Sequence, residues 1–106
     1  MDTQFKKGVL ELCVLSMLIK RDCYGYEISQ YLSSHIDISD GTVYPILRKL
    51  KRDGMLTTYM QEESGGPPRK YYSLTTLGRE NFEKSRTAYL RFTRAIENIL
   101  EGDENE

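Results

Sequence analysis

A chain of 106 residues has the length of one globular domain, and 39% hydrophobic with 10% aromatic residues can build its core; a domain this small often gains stability by oligomerising. No apolar run approaches the ~20 residues needed to span a bilayer, which excludes a transmembrane helix. The stretch from Val9 to Ile19 carries Glu11 and ends without a small-residue cleavage site, and Cys13 and Cys23 form neither a C-x-x-C pair nor a disulfide framework, so the expectation is a cytoplasmic protein with reduced cysteines and no secretory leader.

The net charge of −1 conceals a segregation. Glu97, Glu101, Asp103, Glu104 and Glu106 crowd the last ten positions without a base, and residues 1–96 then hold 15 basic against 11 acidic residues, or +4. Arg48, Lys49, Lys51 and Arg52 lie close together.

In chain order, residues 5–20 read as a helix. Its apolar positions Val9, Leu10, Leu12, Cys13, Leu15, Met17 and Leu18 are too many for a narrow stripe, so other elements should wrap it. A second helix over Gly25 to Ser34 puts Tyr24, Ile28, Tyr31 and Leu32 on one amphipathic face, and a connection containing His35 and Asp37 follows. A third helix begins at an N-cap of Ser39 or Asp40, turns Val43, Ile46, Leu47 and Leu50 to the core, and ends at Gly54 as a left-handed C′ residue. Pro45 removes a hydrogen bond and crowds the carbonyl of Gly41, a position where the backbone can adjust, so the helix is retained with an irregular first turn.

Leu56 to Gln61 and Arg69 to Leu74 suit short strands, and Glu62-Glu63-Ser64-Gly65-Gly66-Pro67-Pro68 between them suits a loop, which together predict a β-hairpin. Thr75 or Thr76 caps a last helix reaching about Glu101, roughly 26 residues and ~39 Å long. Phe82, Ser85, Tyr89, Phe92, Ile96 and Ile99 recur along it at a coiled-coil period, so this helix should seek a partner. The fold class is therefore mainly α with a small β-hairpin: a winged helix-turn-helix over residues 1–75, a C-terminal dimerisation helix over 76–101, and an acidic tail over 102–106.

Once the core positions of the third helix are set aside, Ser39, Thr42, Tyr44, Pro45, Arg48, Lys49, Lys51 and Arg52 remain on its outward side and at its start. Hydroxyls and cations bond phosphates, Thr, Tyr and Arg reach base edges in a major groove, and the helix N-terminus adds free N–H groups. In isolation such a face reads as a solvated basic surface; between a preceding helix and a following hairpin it reads as a DNA-binding element. Tyr26 can offer a hydroxyl to phosphate, and Gly65 and Gly66 allow close approach of a wing whose return strand opens with Arg69 and Lys70, although Glu62 and Glu63 oppose it. No catalytic triad, metal-ligand spacing or phosphate-binding glycine loop appears, and His35 is the one histidine, so neither an enzyme nor a cofactor or metal site is expected. A rival reading is a winged-helix protein-interaction module that never touches DNA, which an exposed Tyr44 and Pro45 would suit.

These motifs resemble a known family. Tyr24-Gly25-Tyr26-Glu27-Ile28, Gly41-Thr42-Val43-Tyr44-Pro45-Ile46-Leu47, Leu50 with Gly54, and Pro68-Arg69-Lys70-Tyr71-Tyr72 with Leu74-Thr75 and Gly78 are similar to the PadR family, from about Leu10 to Gly78, and the short chain is similar to its compact, LmrR-like branch. The resemblance implies a bacterial, ligand-responsive repressor, a homodimer on a palindromic operator. Its last helix would pack against the partner's first helix, so that Leu10 joins Phe82, Ser85, Tyr89, Phe92, Ile96 and Ile99 at the dimer interface. In that branch a cavity between subunits holds flat aromatic drugs between tryptophans. This chain has no tryptophan, and Tyr89, with Phe92 and Leu12, stands at the corresponding place as a possible pocket for a planar aromatic effector. A constitutive regulator, whose seam is filled by its own aromatic residues, is the further alternative.

Overall fold

The computed structural model describes residues 3–62 and 65–102; loop positions 63 and 64, and the expected acidic tail from 103 onward, lie outside the described residues. The elements are α1 (Thr3–Lys20), β1 (Cys23–Tyr24), α2 (Gly25–His35), α3 (Asp40–Arg52), β2 (Leu56–Gln61), β3 (Arg69–Leu74) and α4 (Thr76–Leu100). The antiparallel sheet has the order β1-β3-β2, so the predicted hairpin β2–β3 is joined on its β3 edge by a short strand. The architecture is a winged helix with a long C-terminal helix.

α1 lies in the middle. Leu10, Val14, Leu15 and Leu18 are buried, and Leu12, Cys13, Met17 and Ile19 pack partly buried against the same cluster, the broad apolar surround that its composition predicts. On α3, Val43, Ile46, Leu47 and Leu50 are between 0% and 3% exposed, and the helix runs through Pro45 without a break. Its end is closed by Gly54 at φ 81°, with Gly54 N–H donating to the Lys51 carbonyl (3.0 Å) and Met55 N–H to the Leu50 carbonyl (2.9 Å), the paired bonds of a Schellman turn.

Some expectations are corrected. β1 was not anticipated; it pairs Cys23 with Tyr72 and Tyr24 with Tyr71, and a strand of two residues is too short to show an alternation. α2 continues through His35, whose Nδ1 lies 3.0 Å from the Tyr31 carbonyl oxygen, so His35 belongs to the last helical turn and not to the connection. The buried residues of α2 are Ile28, Ser29 and Leu32, whereas Tyr31 stays 44% exposed with its ring against that of His35. Leu10 and Phe82, expected at a dimer interface, are 3% and 6% exposed within their own chain. Each is a core residue of its own subunit, because α1 and the first turns of α4 pack on the domain before α4 leaves it.

α4 is fastened at its start. Thr75 is the N-cap: its Oγ1 accepts the Gly78 N–H (3.0 Å) and donates to the Gly54 carbonyl (2.6 Å), with the Met55 carbonyl as a second acceptor at 3.1 Å. Thr75 N–H also donates to the Met55 carbonyl at 3.0 Å, so one residue ties α4 to the turn that follows α3. Gly78 is buried at this junction, where a Cβ would collide with the Met55 carbonyl oxygen and approach Leu74 Cδ2 to 2.9 Å. Gly78→Ala should therefore destabilise the domain by about 1–3 kcal/mol through overpacking, and Thr75→Val by about 1 kcal/mol through loss of the cap. Thermal denaturation followed by circular dichroism checks both; an unchanged melting temperature in Gly78→Ala would contradict the contact.

Candidate nucleic-acid interface

The burial of one side of α3 leaves the other to solvent. Tyr44, Pro45, Arg48, Lys51 and Arg52 are exposed there, and Thr42 is half-buried. At the helix start Ser39 is the N-cap, its hydroxyl 3.3 Å from that of Thr42 and not bonded to a helix amide, so the first N–H groups of α3 carry no side-chain cap.

Lys49 departs from its neighbours. Its Nζ lies 3.0 Å from Asp53 Oδ2 and 3.2 Å from Glu11 Oε2 on α1. The hydrogen bond to Asp53, followed by that to Glu11, raises its pKa above the ordinary lysine value. The helical period carries position 49 to the flank of α3, toward α1, so the expectation that Lys49 points outward with Arg48 is corrected. Its charge is matched within the chain.

Beside α3 stands the wing. Tyr24, Tyr71 and Tyr59 occupy one rung across the sheet, with ring centroids 5.6 Å apart in each pair; the Tyr59–Tyr71 pair is nearly parallel at 16°. The row is closed at both ends: the Arg69 guanidinium lies 4.6 Å from the centroid of Tyr24, and the Tyr59 hydroxyl donates to Asp22 Oδ2 at 2.7 Å. That hydrogen bond to Asp22 is the first cause of a raised Tyr59 pKa, which keeps the phenol a donor. The row braces the root of the wing against the body. Lys70 is exposed on β3, Gly65 (φ 76°) and Gly66 lie in the tip, and Glu62 is exposed at its near side.

α2 starts at the same place. Tyr24 is its N-cap, its N–H donating to Glu27 Oε1 at 3.0 Å in a capping box, while Tyr26 is 57% exposed. Between this helix start, α3 and β3 lies an open depression of about 440 Å³ lined by Tyr24, Gly25, Tyr26, Tyr44, Arg48, Arg69, Lys70 and Tyr72. The structure thus brings Tyr26, Tyr44, Arg48, Arg69 and Lys70 together. Ser39, Thr42 and Pro45 lie in a second depression at the start of α3, and Lys51 and Arg52 line neither. Tyr72 was missed because it was read as strand composition; it shares the strand parity of Lys70 and Leu74, which turns it toward α3 and away from the tyrosine row.

Further along α4, the residues of the expected seam divide. Tyr89 and Ile96 are half-buried, Ser85 is exposed, and Phe92 and Ile99 are 57% and 72% exposed, accompanied by Leu90 and Leu100 at 43% and 78%. Leu12 lines a small cavity of about 220 Å³ with Ser85 and the Lys49–Asp53 pair; Tyr89 and Phe92 do not line it. Among the described residues no cluster of His, Cys, Asp and Glu could hold a metal ion, and no helix is long and apolar enough to cross a membrane.

Comparison with known proteins agrees with this geometry. Residues 14–84 match the Transcriptional regulator PadR-like family. The chain is similar to the solved structure of a PadR-like transcriptional regulator from Bacillus cereus, with 33% identity, a TM-score of 0.86, and 95% of this chain and 100% of that one covered. It is also similar to the smu.1704 protein of Streptococcus mutans, with 36% identity, a TM-score of 0.85, and 94% and 93% of the two chains covered. Transcriptional regulator Rv3488 of Mycobacterium tuberculosis is 30% identical over 94 residues, which are 88% of this chain and 87% of that protein. With a basic, hydroxyl-bearing side of α3 turned to solvent, a wing braced beside it and this match over most of the chain, the protein belongs to the PadR-like family of DNA-binding transcriptional regulators.

Proposed function

We propose that the protein is a ligand-responsive repressor that acts as a homodimer on a palindromic operator. The observation that carries the reading is α3: its aliphatic side is wholly buried while Thr42, Tyr44, Arg48, Lys51 and Arg52 remain accessible, so the helix can enter a major groove without unpacking. The wing, through Gly65, Gly66, Arg69 and Lys70, would follow the adjacent backbone, and Tyr26 and Ser39 would meet flanking phosphates. The bare chain should shift duplexes selected from a random library. Arg48→Ala should weaken binding at least ten-fold, and each of Lys51→Ala and Arg52→Ala should lower the slope of log affinity against log salt by about 1 if it removes one phosphate contact. Lys49→Ala should have the smaller effect, because its charge already serves Glu11 and Asp53. If no duplex were shifted, the exposed Tyr44 and Pro45 would favour the protein-interaction reading.

Dimerisation is supported by the far half of α4, where Phe92, Ile99 and Leu100 are exposed toward one side of the helix as an apolar surface of the kind that marks an interface. Ser85, Tyr89 and Ile96 lie on the same helix and complete the expected seam. A dimer would place two copies of α3 at half-sites about one DNA turn, ~34 Å, apart. Phe92→Asp, at a side chain that is 57% exposed and so dispensable for the subunit's own core, should give a folded monomer in sedimentation experiments and abolish tight operator binding.

The effector reading rests on Tyr89 and Phe92 of this surface with Leu12 of α1, which would offer a planar aromatic ligand rings to stack on. The Lys49–Glu11 bridge joins α3 to α1, and α1 packs on α4, so a ligand between the subunits has a short path to the spacing of the reading helices. Titration with planar aromatic dyes should quench tyrosine fluorescence and release operator DNA, and Tyr89→Ala should remove both effects. A complete lack of response across such a library would favour a constitutive regulator.

A further inference from the structure

The depression between α2, α3 and the wing has a chemistry that α3 alone does not. Its lining holds Arg48, Arg69 and Lys70 and no carboxylate. The nearby Glu27 is occupied, its Oε1 accepting the Tyr24 N–H at 3.0 Å and its Oε2 paired with Arg21 at 3.2 Å. Tyr44 lies over the first turn of α2 so closely that a Cβ on Gly25 would come within 2.8 Å of its ring.

Tyr72 supplies the independent observation. It is 8% exposed, lines the depression, and its hydroxyl makes no hydrogen bond among the described residues. Its pKa is raised by burial and then by Tyr44, with Arg48 opposing.

We propose that the depression is a preformed seat for one phosphodiester of the DNA backbone, held by the Tyr72 and Tyr44 hydroxyls and the Arg48 guanidinium. The assignment rests on the DNA-binding reading and refines it: Tyr44 and Arg48 fix the register of α3 on the duplex, which leaves base contact to other residues of the helix such as Thr42. Arg69, stacked on Tyr24, forms the rim.

The test is Tyr72→Phe, which removes only the unbonded hydroxyl. Binding is measured on a duplex selected from a random library by the wild-type chain and on an unrelated duplex, and melting temperatures are recorded with and without inorganic phosphate. The expected result is about a ten-fold loss on both duplexes, as befits a hydrogen bond to a charged group, with an unchanged ratio between them and a free-protein melting temperature equal to or above that of the wild type. A methylphosphonate scan of the selected duplex should find one phosphate per half-site whose neutralisation weakens the wild type but scarcely weakens Tyr72→Phe further. Wild-type binding by Tyr72→Phe, a loss confined to the selected duplex, or a fall in melting temperature that accounts for the loss would each overturn the seat. Stabilisation of the wild type by inorganic phosphate, with DNA binding unaffected by Tyr72→Phe, would reassign it to a small phosphorylated ligand. If the wild-type chain shifted no duplex, the DNA-binding reading would fall, and the seat with it.

Discussion

The seating of α3 on its aliphatic side governs the molecule, because Val43, Ile46, Leu47 and Leu50 leave the helix only one rotation about its axis. Each is 3% exposed or less, in contact with a cluster drawn from α1, α2 and the sheet. Truncating such a side chain costs about 2–5 kcal/mol, a large part of the 5–15 kcal/mol that holds an ordinary domain together. A rotation that exposed two of them would unfold the domain before it offered another face. The surface available to DNA is thus fixed by the core, with no device of its own to aim it, and the Schellman closure at Gly54 and the Thr75 cap hold the end of the helix in the same frame.

Charge is arranged around that frame locally. Lys49, one position from Arg48, is drawn back by Glu11 and Asp53, and Arg21 by Glu27, while Arg48, Lys51 and Arg52 have no ion-pair partner among the described residues. What the surface presents is decided by which cations are already matched, so a chain with a net charge of −1 can still show DNA a positive face. The tyrosine row has a related part: by stacking Arg69 on Tyr24 and tying Tyr59 to Asp22, it keeps the wing root in place while leaving Lys70 at its edge.

Much of this is legible in the sequence. The aliphatic spacing on α3, the glycine after it, the loop-forming run between the strands and the threonine before α4 are local signals, and the corresponding boundaries agree with the structure to within a residue or two. What escaped depended on neighbours distant in sequence. β1 exists only because β3 offers it an open edge. Lys49 reads as one more exposed cation until α1 brings Glu11 to it. Phe82 has the spacing of a partner-facing residue, and the family resemblance places Leu10 opposite it, yet both fold into their own subunit because α1 and the start of α4 meet there. Tyr72, of a type common in strands, becomes notable only when its hydroxyl is found buried beside α3.

The long α4 has a consequence for regulation by quantity. Its beginning is fastened by Thr75 and Gly78, but its far half exposes Phe92, Ile99 and Leu100. Under the dimer reading, the apolar side of that half is covered only by a second molecule, so its burial depends on protomer concentration. A repressor built this way would sense its own abundance: below the dissociation constant of the seam it would be a folded reading head without a fixed spacing, and above it a ruler for the operator. Its dose–response would then be steeper than that of a preassembled dimer, without a cooperative contact on the DNA.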